Sequence, residues 1–111
     1  MREYPTVRGS TIQRVSREER LLLARRGAAY LRAHGATRVW LFGSLARGRA
    51  QDERSDIDLA VLGLPRALYY RMVSELDQLL DCPVDLVEIE TASPALRLQI
   101  ERWGVLMADE D

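Results

Sequence analysis

The chain contains no lysine; all 16 of its basic residues are arginine. This excludes a Walker-type phosphate loop, which ends in lysine, and Schiff-base lysine chemistry. The single cysteine, Cys82, can form neither an internal disulfide nor a multi-cysteine zinc centre. The single histidine, His34, stands at an expected helix end, and Cys82 directly precedes Pro83. The pair therefore reads as a helix-terminal imidazole and a small buried thiol rather than as a base and its nucleophile. Aromatic residues make up only 6% of the chain, too few for a base-stacking platform. Neither sign of charge dominates: 16 basic residues face 17 acidic ones, for a net charge of -1. Counterion-driven binding is therefore not expected, and nucleic acid is not expected as a direct partner. No apolar run approaches the roughly 20 residues of a membrane span, so no membrane contact is expected. The opening MREYPTVRGSTIQRVS lacks the apolar stretch of a signal peptide, and a cytoplasmic location is the expectation.

What is present is ordinary for a folded domain. The 111 residues are 47% hydrophobic and 30% charged, enough for one core and too short for two. Residues 1–15 show no period and read as an N-terminal arm, with the domain proper at 16–111. Ser16 and Glu19 have capping-box spacing, and Leu21, Ala24, Ala28 and Leu31 then mark a helix running towards Gly35. Arg38–Phe42 is a short apolar strand, and Ile57–Leu62 a second. Pro65 suits the first turn of a helix whose apolar stripe is Tyr69, Met72, Val73, Leu76, Leu79 and Leu80. Val84–Ile89 reads as a third strand. Ser93-Pro94 opens a last helix with Leu96, Ile100 and Trp103 on one face, and Val105–Met107 reads as a short edge strand. Interspersed strands and helices predict an α+β fold, a small mixed sheet with helices packed on one face.

The chemistry concentrates in Leu41–Val61, LFGSLARGRAQDERSDIDLAV. Gly43-Ser44 follows a strand directly. Glycine permits a sharp turn and close approach of a ligand, and if Ser44 caps a short helix, neighbouring N–H groups converge on one anion-binding spot. Asp56 and Asp58 flank Ile57, and strand alternation sets both carboxylates on one face. Two such charges repel unless a cation holds them, and Mg2+ favours carboxylate oxygens together with substrate phosphates. Asp85 lies inside the apolar run VDLV, where an acid is expensive unless paired or liganded; the alternative is a strand edge facing solvent. Glu88 is out of phase with Asp85 and is not placed in the same site. Three acids and a glycine-serine turn together suggest a two-metal site with a triphosphate between them.

The string FGSLARG…SDIDLAV resembles the minimal nucleotidyltransferase proteins of the superfamily that includes DNA polymerase β, over about Thr37 to Glu90. The gap between Ser44 and Asp56 is about one residue longer than the common form, which implies a slightly longer loop. The resemblance implies a polymerase β-like nucleotidyltransferase fold and transfer of a nucleoside monophosphate, AMP from ATP, with Mg2+. It implies Gly43, Ser44 and Arg47 as nucleotide-binding residues, and Asp56, Asp58 and Asp85 as catalytic and metal-ligating ones. For Arg47 a loop pairing with Asp52 or Glu53 is the alternative. Minimal members resemble the antitoxin half of two-gene systems whose partner is a HEPN-domain ribonuclease toxin. That implies a hetero-oligomer in which AMP passes to a tyrosine of the toxin. Leu98, off the stripe of the last helix, and the N-terminal arm are candidate partner surface. Two alternatives stand: a non-catalytic toxin-binding module, and a small-molecule nucleotidyltransferase.

Overall fold

The computed structural model describes residues 16–52 and 54–107; the expected arm at 1–15 lies outside them. In chain order the elements are α1 (Arg17–Ala33), β1 (Arg38–Phe42), α2 (Gly43–Ala46), β2 (Ile57–Leu62), α3 (Tyr69–Leu80), β3 (Val84–Glu88), α4 (Pro94–Trp103) and β4 (Val105–Leu106). Short 3-10 turns at Arg66–Leu68 and Ile89–Thr91 precede α3 and follow β3. The sheet order is β3-β2-β1-β4. β1 runs antiparallel to both β2 and β4, and β2 runs parallel to β3, with α3 as the crossover. The mixed sheet follows the α+β expectation.

The local signals act as their chemistry predicts. The Ser16 hydroxyl accepts from the Glu19 N–H at 3.3 Å, and that of Ser93 from Leu96 N–H at 3.2 Å with Pro94 in the first turn. α3 begins four residues after Pro65, because Arg66–Leu68 winds more tightly first. Strand alternation divides the core. Val39, Leu41, Ile57, Leu59 and Val61 face α1 and α3, meeting Ala24, Ala28, Leu31, Met72, Leu76 and Leu80. The other face carries Phe42 and Ala60, and α4 packs Ile100 against them. The single-face arrangement thus holds for α1 and α3 but not for α4. With one face filled by two helices, the apolar positions of α4 find their partners on the other.

β3 is an edge strand, and side chains meet three of its backbone groups. The Val84 N–H donates to Asp77 Oδ1 at 3.1 Å, Tyr69 Oη donates to the Leu86 carbonyl at 2.6 Å, and Thr91 Oγ1 to the Glu88 carbonyl at 3.4 Å. These contacts blunt the edge against pairing with another strand and hold β3 in place. Among the described residues no helix is long and apolar enough to cross a membrane.

Candidate active site

β1 ends where the antiparallel β2 begins, so the connection from Gly43 to Asp56 lies over one end of the sheet. Gly43 has φ 75°, a left-handed conformation that glycine adopts without strain. Any side chain there would overlap the Asp58 carboxylate. The turn is therefore drawn tightly against that acid. Ser44 is the second residue of α2 rather than its cap; the capping position is Phe42, and no side chain caps this helix. Gly43 makes the turn by itself, and the Ser44 oxygen is engaged elsewhere, by Gln51.

Asp58 and Asp85 are register partners on neighbouring parallel strands, so both side chains leave the same face of the sheet. That face is opposite the main core, since Ile57 and Leu59 point inward. Asp56 immediately precedes β2, two residues before Asp58. The electrostatics register the convergence. Burial, then the charges of Asp85 and Asp56, push the Asp58 carboxyl up from 3.8 to about 6. Asp85 itself is exposed. Of the two readings open for Asp85, the strand edge facing solvent is the one found: VDLV lies at the sheet edge, where water solvates the carboxylate at little cost. Glu88, placed outside the site on phase alone, lines the same groove as Asp85. Arg66, Tyr69, Tyr70 and Thr91 also border that groove, whose volume is ≈ 480 Å³.

Among the described residues no three His, Cys, Asp or Glu side chains close into a ready-made cage for an ion. The donor set is nevertheless one that Mg2+ accepts. It offers hard carboxylate oxygens, those of Asp58 and Asp85 on one face, and leaves positions for substrate phosphates, as Mg2+ usually requires.

Three further side chains shape the loop, and the sequence reading passed over them. Arg20 on α1 is 4% exposed, and its guanidinium donates to the carbonyls of Ser55 at 2.5 Å and Asp52 at 3.1 Å. Arg17, one turn earlier, donates to the Leu45 carbonyl at 3.2 Å. One face of α1 thus grips α2 and the approach to Asp56. The available signal was phase: Arg20 falls four residues before Ala24, on the buried stripe. Gln51, also 4% exposed, donates from Nε2 to Ser44 Oγ at 3.3 Å and to the carbonyls of Arg49 at 3.1 Å and Ala50 at 3.4 Å. No pattern in a polar loop marks such a residue.

Gly43, Ser44, Arg47, Arg49 and Gln99 line a small cleft of ≈ 110 Å³ on the loop side. Arg47 lies over the Trp103 ring, 4.9 Å from its centroid. It does not take up Asp52, whose carboxylate closes the loop on itself through the Arg54 N–H at 2.8 Å and Ser55 Oγ at 3.4 Å. Glu53 lies outside the described residues. His34 and Cys82 stay apart from this chemistry. The His34 ring packs on Tyr30 and meets its carbonyl at 2.8 Å, and burial pushes the Cys82 thiol up.

The polymerase beta nucleotidyltransferase family model matches residues 28–111. Protein adenylyltransferase MntA of Shewanella oneidensis is 36% identical over 80 residues, which cover 65% of this chain and 57% of that protein. The chain thus spans little more than half of this curated relative. A solved protein assigned as a minimal nucleotidyltransferase superposes with TM-score 0.69 at 33% identity, covering 82% of this chain and 95% of the other. A solved toxin-antitoxin with AMP-PNP superposes with TM-score 0.63 at 28% identity, over 87% of this chain and 76% of that one. A third match is the MNT antitoxin complexed with a tri-AMPylated Shewanella oneidensis HEPN toxin, with TM-score 0.63, 27% identity and coverage of 82% and 73%. With glycine-serine turn, paired acids and mixed sheet in this arrangement, the chain belongs to the polymerase beta nucleotidyltransferase family.

Proposed function

We propose that the chain is a Mg2+-dependent nucleotidyltransferase that moves AMP from ATP to a hydroxyl of a partner protein, a tyrosine of a HEPN toxin, and so acts as its antitoxin in the cytoplasm. The observation that carries this reading is the register of Asp58 against Asp85 beside the Gly43 turn. The printed activity of the adenylyltransferase relative and the AMPylated toxin complex support it.

In this reading Gly43, Ser44 and Arg47 receive the triphosphate, and Asp56, Asp58 and Asp85 hold the metal. When bound, Mg2+ neutralises phosphate charge and polarises the α-phosphate for in-line displacement. The acceptor oxygen bonds to the α-phosphorus as the bond to the pyrophosphate oxygen breaks, and the hydroxyl proton passes to a nearby carboxylate. Asp85 suits that task because it is exposed at the sheet edge, where a side chain of another protein can reach it. Gly43 keeps the turn against Asp58, and Arg17 and Arg20 keep the loop on the sheet.

The test is incubation of the chain with labelled ATP, Mg2+ and the product of the neighbouring gene. Label on a tyrosine of the partner, lost in Asp58→Asn, supports the proposal; no label on the partner removes it. One observation favours the non-catalytic alternative. Leu98, Trp103, Val105 and Leu106 are large apolar residues of α4 and β4, each about half exposed, that can bind a partner by contact alone. An Asp58→Asn chain that still protects cells fully from the toxin would favour occlusion over transfer.

A further inference from the structure

Gln51 is buried at the back of the loop, yet its amide is only half satisfied. Nε2 meets three acceptors, whereas Oε1 is buried and has no partner among the described residues. The amide cannot be turned round, because Oε1 would then face the carbonyl oxygens of Arg49 and Ala50, acceptor against acceptor. Its orientation therefore follows from chemistry, and the polarity of its bond to Ser44 follows with it. Gln51 donates; Ser44 Oγ accepts.

A serine hydroxyl carries one proton and two lone pairs. With a lone pair engaged by Gln51, the proton of Ser44 is free to point away from the amide, into the cleft it shares with Gly43, Arg47, Arg49 and Gln99. We infer that Gln51 is a positioning residue: it holds the Ser44 hydroxyl as a hydrogen-bond donor towards the anionic phosphate chain of the nucleotide. This rests on the nucleotidyltransferase reading and adds to it a residue that touches no substrate. The orphaned Oε1 agrees with such a role, since the amide is held by its NH2 side at the expense of its own acceptor.

A donor to a charged phosphate oxygen contributes about tenfold in affinity, and that contribution must pass through Ser44. The experiment measures AMP-PNP binding with Mg2+ by calorimetry for the full chain, Gln51→Met, Ser44→Ala and the double variant, with thermal unfolding to verify folding. Gln51→Met is expected to weaken binding about tenfold in the Ser44 background and less than twofold in Ser44→Ala. Gln51→Glu preserves the shape but reverses the polarity, drawing the serine proton back, and should weaken binding more than Gln51→Met does. Equal losses from Gln51→Met in both backgrounds, or none in either, overturn the inference and leave the nucleotidyltransferase reading standing. Absence of AMP-PNP binding to the unaltered chain overturns both.

Discussion

Asp58→Asn is expected to make the protein more stable while it abolishes transfer. The ionised carboxylate sits beside Asp85 and Asp56, partly buried and under the Gly43 turn, and its acidity is displaced from 3.8 to about 6. Each tenfold change in acidity is worth about 1.4 kcal/mol, so the full displacement corresponds to about 3 kcal/mol. Solvent reaches much of the carboxyl, which reduces the realised penalty to about 1–2 kcal/mol. The sign follows from which state ionises first. The unfolded chain loses the proton near pH 4 and the folded chain near pH 6, so the penalty grows between these values and is complete above them. The amide carries no charge and escapes it. At about pH 7.5, without divalent cation, Asp58→Asn should melt roughly 5–10 °C above the unaltered protein. The gain should shrink towards zero by about pH 4, where both states keep the proton. Mg2+ with AMP-PNP should raise the melting temperature of the unaltered chain and leave that of the variant nearly unmoved. Differential scanning calorimetry across pH reads all three. A variant that melts no higher than the unaltered chain near neutral pH, or whose advantage persists in acid, refutes the placement of strain on ionised Asp58.

Gly43→Ala combines a left-handed backbone with overlap against the Asp58 carboxylate. It should cost about 2 kcal/mol in denaturant unfolding and lower transfer about a hundredfold or more, and near-normal turnover would contradict the close packing of turn and acid. Arg20→Ala strips two loop carbonyls of a buried charged donor. A loss of about 2–3 kcal/mol by thermal melting, together with at least about tenfold lower turnover, is expected; a neutral result would mean the loop is held without α1. Trp103→Ala removes the ring beneath Arg47. A contact of this exposed kind is worth about 0.5–1 kcal/mol, so KM for ATP should rise about two- to fivefold with kcat unchanged, and Trp103→Phe should recover part of the loss.

What the sequence disclosed, and what it withheld, divides along the range of the interaction. Caps, proline turns and apolar phase act within a few residues, so Ser16, Ser93-Pro94 and the strands 38–42 and 57–62 were legible from neighbours alone. The closeness of Asp56 and Asp58 is likewise local, since only Ile57 separates them. Strand order is not local. VDLV leaves a buried strand and a solvent-facing edge both open, because three of its four residues are apolar and the phase of Asp85 says nothing of how many neighbours its strand has; β3 is the sheet edge. The face taken by α4 is likewise settled only once α1 and α3 have filled the other. Arg20 and Gln51 show the same division inside the site. A buried polar side chain is tolerated only where its partners are assembled around it, and those of Arg20 lie more than thirty residues away along the chain. Those of Gln51 are close in sequence, but they depend on a loop conformation that α1 imposes from a distance. The paired acids could be read because they stand two residues apart, Asp58 within β2 and Asp56 just before it. The third acid stands beside them because an α-helical crossover returns the chain parallel to β2 in the register that aligns Asp85 with Asp58. The site is therefore only as well formed as that crossover, and substitutions in the packed face of α3 should reach the chemistry through the register of β3.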